Sequence, residues 1–284
     1  LEKVTEPDGK ITEYIFDKAG NRIQETITQG SETIATTYEY NEQNRLINTI
    51  TRNGAVTETA KYEYDPNGNT MTKVVETTKP VDPNLTGSFD FNKAGQSTDK
   101  NITYYEYDSW NQLIKTIEGD KTIIAAYNGY GQRIEKTING ITQRYLYEYD
   151  KVVLETDGQG NETARNIYGT NLLVREAENE TAYYMYNGHG DVTALLNDQG
   201  NIIGSYYYDA FGNITEETGE ADNPYRYAGY RYDEETGIYY LNARYYDPKI
   251  ARFLTEDTYR GQIYDPLSLN LYTYCYNEPI MYYD

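Results

Sequence analysis

An aromatic-x-aromatic unit closed by Asp or Asn recurs along this chain, and it limits the possible folds more than any other feature. "YIFDKAGNRI" closes its unit at Asp17, "YEYNEQNRLI" at Asn41 and "YEYDPNGNTM" at Asp65. "FDFNKAGQST" follows at Asn92, "YEYDSWNQLI" at Asp108, "AAYNGYGQRI" at Asn128 and "YEYDKVVLET" at Asp150. Later copies are "YMYNGHGDVT" at Asn187, "YYYDAFGNIT" at Asp209, "YRYDEETGIY" at Asp233 and "RYYDPKIARFLTED" at Asp247. Successive anchors are mostly about 16 to 27 residues apart, a spacing that marks a repeat architecture. The larger step after Asp150 holds a degenerate copy at "NIYGTN".

Each unit reads as a β-hairpin. Side chains alternate across a strand, so both rings of Tyr-x-Tyr share one face. A turn follows. In "DPNGN", Pro66 presets φ for the first corner, Asn67 tolerates the bend and Gly68 takes positive φ. That is the chemistry of a short hairpin loop with a bulge. The returning halves, such as "NRIQETIT" and "QRIEKTI", alternate again. Hairpins in series give one antiparallel ribbon, and sheet twist makes it coil. A calcium loop needs several oxygen ligands close together, whereas each copy offers about one carboxylate or amide. The anchor side chain is therefore read as capping its own turn.

Composition supports sheet. The 284 residues include 35 Tyr, against 5 Phe and 1 Trp. Tyrosine favours strands and buries its ring while the hydroxyl finds a partner. The net charge of −20 repels nucleic acid and anionic lipid, and it suits a basic partner. One cysteine, Cys275, precludes an intrachain disulfide, and one histidine, His189, leaves no cluster to hold zinc. Cys275, alternating with tyrosines in "LYTYCYNEP", is read as a buried strand residue; His189 in "YNGHGD" is read as a solvated or backbone-bonded turn residue. The two-proline stretch "TTKPVDPNLTGS", residues 77–88, is read as a longer surface loop. No apolar run reaches membrane-spanning length, and the chain starts mid-pattern, as a fragment of something longer would. No cofactor or metal is expected.

These tyrosine–aspartate repeats resemble the YD repeats of Rhs proteins, wall-associated polymorphic toxins and the C component of insecticidal toxin complexes; teneurins carry a related shell. The resemblance covers essentially the whole chain. Its most specific stretch is "NPYRYAGYRYDEETGIYYLNARYYDPKIARFLTEDTY" continuing to "NLYTYCYNEPIMYYD", residues 223–284, which looks like the Rhs-associated core. The resemblance implies an all-β shell, a cocoon of spiralling hairpins over residues 1–205, ending in a core plug over residues 206–284. In that family the shell encloses a C-terminal toxin, and the core of many members is an aspartyl autoprotease.

Carried over by motif, the protease positions fall on Arg244, Asp257 and Asp284. Two neighbouring carboxylates share one proton: the ionised one activates water and the protonated one polarises the scissile carbonyl. Arg244 would hold one of them charged by a bidentate pair. Asp247 is expected to be one more turn anchor, Arg252 to lie on a strand face, and Asp265 of "YDPLSLN" to form an Asp-Pro turn while rivalling Asp284 as second carboxylate. The sequence departs from the family at Ala251, where Gly is usual, and at Thr258, where Pro is common. The segment "TYRGQIYDPLSLN" is longer than in Gram-negative cores, and the family's Pro-x-Gly after the last Asp lies past the end of this sequence.

The expected function is thus an encapsulating shell of a secreted bacterial toxin, acting as an enzyme only on itself. Its partner would be its own toxin domain, held by an acidic lumen if that cargo is basic. The alternative is a structural or adhesive cell-wall module that binds surface carbohydrate without catalysis. A conventional glycosidase has carboxylates to draw on, but none is paired by spacing outside the core. Nothing in the sequence calls for nucleic-acid binding or membrane insertion.

Overall fold

The computed structural model describes residues 1–80, 96–177 and 180–282. The Asn92 copy, most of the 77–88 stretch and Asp284 lie outside these residues. Among the described residues there is no α-helix; strands dominate, with three short 3-10 turns at Tyr227–Gly229, Pro266–Leu269 and Cys275–Asn277. The chain divides into two compact units. One holds Leu1–Tyr105, Ile117–Asp120 and Glu256–Tyr276; the other holds Glu106–Thr116, Lys121–Thr255 and Asn277–Asp284.

In the first unit, strands from Lys3–Thr5 to Thr70–Pro80 pair antiparallel in chain order, and Thr70–Pro80 pairs with Gln96–Tyr107. Thr77–Pro80, read from sequence as loop, therefore continue a strand. The polar Thr77, Thr78 and Lys79 suit the outer end of a strand as well as a loop, and proline stands at the last strand position. In the second unit the strands from Lys121–Tyr127 to Ile214–Gly219 pair in the same consecutive way. A separate four-stranded meander follows: Arg231–Asp233, Ile238–Tyr240, Tyr245–Asp247 and Arg252–Phe253.

The anchor residue builds each regular loop. At Asp65, the Gly68 amide donates to the Asp65 carbonyl (3.1 Å). The carboxylate accepts from the Asn69 amide (2.9 Å) and from the Asn69 side chain (2.8 Å). The third residue after the anchor must turn left-handed: φ is 77° at Gly20, 59° at Asn44, 84° at Gly68 and 91° at Gly212. Only Gly and Asn adopt that conformation at little cost, which explains the alternation of these two residue types there. Asp157 and Asn197 cap loops of the same kind that the tyrosine pattern did not mark. Asp150 differs from its expected role: it sits with Tyr149 in a two-residue turn between the strands Ile141–Glu148 and Lys151–Asp157.

The two tyrosines of each unit have separate tasks. The first ring is buried, as at Tyr14, Tyr38, Tyr62, Tyr145, Tyr184 and Tyr206. The second stands at a register shift and reaches back to the preceding hairpin. Tyr40 Oη donates to the Arg22 carbonyl (2.8 Å), Tyr64 to Leu46 (3.0 Å), Tyr127 to Leu113 (2.7 Å), Tyr186 to Leu172 (2.7 Å) and Tyr208 to Val192 (2.9 Å). Burial pushes the Tyr186 and Tyr208 hydroxyls well above their ordinary pKa, so they remain donors. Each repeat thus ties down the one before it, and the bulge aims the ring.

Cys275 is not in a strand. It is half-buried in a 3-10 turn at φ 48°. Alternating burial does persist, with Asn270, Tyr272 and Tyr274 buried, but no neighbouring strand pairs with this stretch among the described residues. Alternation reports which side chains face inward and does not by itself require a sheet partner.

Candidate functional site

The residues that the sequence singles out fall in both units. Arg244 belongs to the second. It follows the tight turn in which the Leu241 amide donates to the Arg244 carbonyl (2.9 Å) and Asn242 takes φ 59°. Its guanidinium lies 3.6 Å from the ring centre of Phe253, in the next strand but one. Such stacking fixes the plane of an arginine fork. Asp247 keeps the turn role, accepting from the Lys249 amide (3.0 Å), and Arg252 is buried opposite it in the ladder. The turn ends at Ala251 with φ 55°, a glycine-like conformation held by a residue with a Cβ.

Asp257 belongs to the first unit. Its amide donates to the Leu271 carbonyl (2.9 Å), and its Oδ1 accepts from the Tyr259 amide (2.8 Å). Beside it is a residue that sequence reasoning missed. Glu256 accepts from Arg45 (2.9 Å), Arg260 (2.7 Å) and Tyr272 Oη (3.3 Å). Burial pulls its pKa up, and hydrogen bonds from Arg45 and Arg260 more than reverse that, leaving it below the usual carboxylate value. A Cβ at Gly68 would stand 2.2 Å from Glu256 Oε1, so Gly68 serves the loop's left-handed turn and this close approach together. Asp265 forms the expected turn, its carbonyl accepting from the Ser268 amide (3.1 Å) ahead of Pro266–Leu269.

Two buried ionic constellations lie within the second unit, and neither was read from sequence. Glu155 accepts from Arg231 (2.9 Å) and Gln143 (2.7 Å), and it pairs with Arg175. Asp233 pairs with Arg133, whose Nη2 lies 2.9 Å from Oδ1, and with Lys136 (2.9 Å). Burial disfavours both charged carboxylates; the cationic neighbours outweigh it and hold both pKa values well below the usual range. Asp233 therefore differs from its expected turn role: its carbonyl closes the turn from Thr236 and Gly237, while its carboxylate serves the buried pair. The signal was present at Arg133. The fifth position after an anchor is an inward position, filled by Leu46, Leu113 and Val192 in other copies. An arginine at that place, as in "QRI", requires a buried acid.

His189 bonds through Nδ1 to Asp191 (2.8 Å), and its Nε2 lies 3.3 Å from the Tyr282 carbonyl. Among the described residues, no group of three or more His, Cys, Asp or Glu is arranged to hold a metal ion. No helix is long and apolar enough to cross a membrane.

The family described as Teneurin YD-shell matches residues 8–280. The tRNA3(Ser)-specific nuclease WapA of Bacillus spizizenii is 37% identical over the whole of this chain, as is the tRNA nuclease WapA of Bacillus subtilis. The chain spans 11% of the length of each. The double-stranded DNA deaminase toxin A of Burkholderia cenocepacia is 25% identical over 88% of the chain and 18% of its own length. Among solved structures, the crystal structure of TcdB2-TccC3 covers all of this chain with 21% of its own, at TM-score 0.51 and 18% identity, a likeness of fold.

Proposed function

Since the chain belongs to the Rhs/YD-repeat proteins and its YD-shell family, we propose that it is a length of the shell of a larger bacterial toxin, made to enclose that toxin's C-terminal domain. The match over residues 8–280 carries this reading, and the stitched hairpins suit it physically. A wall made by tying each repeat to its predecessor gains stability repeat by repeat and needs no single large core. Residues 1–205 would be wall and 206–284 the core that ends it. The protein would act outside the cell or at its surface.

We further propose that the core cuts the chain beyond Asp284. Asp257 and Asp284 would share a proton, one activating water and the other polarising the scissile carbonyl. Arg244, oriented by Phe253, would keep one of them ionised. The test is a version extended past Asp284 into its natural downstream sequence, run on denaturing gels. A released C-terminal fragment is expected, and Asp257→Asn should leave the chain intact. Normal cleavage in Asp257→Asn, or none in the parent, sinks the assignment.

A further inference from the structure

His189 stands in a loop that is held without its side chain. Asn187 Oδ1 accepts from the His189 amide (2.9 Å) and the Asp191 amide (3.0 Å), and Gly190 turns left-handed at φ 90°. The imidazole is left for other work. Its Nδ1 lies 2.8 Å from Asp191 Oδ1, an oxygen that also accepts from the Ala228 amide (2.8 Å). Its Nε2 lies 3.3 Å from the Tyr282 carbonyl. The ring packs 5.2 Å from the buried ring of Tyr227. All of these residues belong to the second unit.

Both ring nitrogens thus face acceptors. A neutral imidazole carries one N–H and one lone pair, whereas the imidazolium donates from both nitrogens. With the proton on Nδ1 alone, the Nε2 lone pair would face a carbonyl oxygen. With the proton on Nε2 alone, the Nδ1 lone pair would face a carboxylate. Only the cation makes both bonds. Asp191, on the same loop, favours that cation, and the turn Tyr227–Gly229 brings a phenol and amides but no charge. Asp150, Lys151 and Arg231 line the same cavity of about 470 Å³ as His189. Lys151 is engaged by the Gly169 and Thr170 carbonyls (3.1 and 3.2 Å), and Arg231 by Glu155 (2.9 Å). The C-terminal segment carries one charged residue before Tyr282, Glu278.

That segment has little else to hold it. Ile280, Met281 and Tyr282 are 53%, 74% and 56% exposed. The Met281 and Tyr282 amides close a turn onto the Glu278 carbonyl (3.1 Å each). Among the described residues, the bond from His189 is the one hydrogen bond that joins residues 280–282 to the rest of the unit. We propose that His189 is a proton-operated latch on this segment: the imidazolium clasps the Tyr282 carbonyl, and loss of the proton lets residues 280–282 go. The sequence runs on from them to Asp284, so acid holds that approach and neutral pH frees it. The latch goes beyond the shell and protease reading and belongs to the uncut chain, so neither assignment falls with the other.

His189 is the single histidine, so its ring signals in nitrogen-15 NMR are unambiguous. Between about pH 5 and about pH 8 the ring should pass from two protonated nitrogens to one. Backbone order parameters of residues 280–282 should fall along the same curve, from about 0.85 to below about 0.6. His189→Gln, which offers an N–H without titrating, should abolish the pH dependence. His189→Phe keeps a ring against Tyr227 but cannot donate, and it should leave the segment loose throughout. The proposal is overturned by order parameters that do not change with pH, by a neutral ring with the segment still ordered, by a pH response that survives in His189→Gln, or by an ordered segment in His189→Phe.

Discussion

Asp209 and Asp233 close nearly identical phrases, "YYYD" and "YRYD", in the same compact unit, yet their carboxylates do different work. Asp209 folds back on its own loop, accepting from the Phe211 and Asn213 amides (2.9 Å each) and from the Asn213 side chain (2.8 Å). Asp233 turns away from its loop into a buried pair with Arg133 and Lys136, distant in sequence. The local motif specifies a strand followed by a turn. Where the carboxylate goes depends on whether a cation waits across the interior.

One substitution made at both sites tests this most severely. Asp233→Asn leaves Arg133 buried without its counter-charge, and Lys136 with Glu235 alone (2.7 Å), and should cost about 3–5 kcal/mol in urea unfolding. Asp209→Asn should cost under about 0.5 kcal/mol, because Asn41 and Asn128 already cap equivalent loops. Equal losses would erase the distinction. Acid sharpens it. The folded pKa of Asp233 is depressed, so its contribution is complete above the unfolded value near about 4 and is lost as pH falls toward the folded value. In stability measured against pH, the acid limb of Asp233→Asn should be shallower than that of the parent by up to about 1.4 kcal/mol per pH unit.

Smaller effects probe the regular wall and the turn that departs from it. Tyr186→Phe removes the bond to the Leu172 carbonyl and should cost about 0.5–1.5 kcal/mol by thermal melting. Ala251→Gly should be mildly stabilising. Relief of the left-handed strain is worth about 1–2 kcal/mol, against about 0.8 kcal/mol for one buried methyl group. A net gain of up to about 1 kcal/mol is expected; a loss would show that the methyl packs better than the backbone suffers.

Much of the wall was legible in the sequence. Tyr-x-Tyr named the strand faces, the anchors named most loops, and Gly68 announced its positive φ. Asp157 and Asn197 escaped notice because the residues leading into their loops are "LETD" and "ALLN", with no tyrosine pair to mark them. Asp150 misled for the opposite reason: it carries the motif, but its turn has only two residues and leaves no loop to cap. Cys275 misled because alternation persists in a segment that has no described sheet partner.

The candidate site was less legible. Arg244 and Asp257 came from a family resemblance, and their surroundings, Phe253 for one and the Tyr259 amide for the other, depend on packing. Glu256 was invisible beside Asp257, since its partner Arg45 lies 211 residues away.

By itself the sequence determined the repeating hairpin, because alternation, turn chemistry and tyrosine content act over a few residues and need no distant partner. Tertiary structure alone decided which charges are buried in pairs and which hydroxyl reaches which carbonyl. Those outcomes depend on groups brought together from remote parts of the chain, and local propensity carries no record of them.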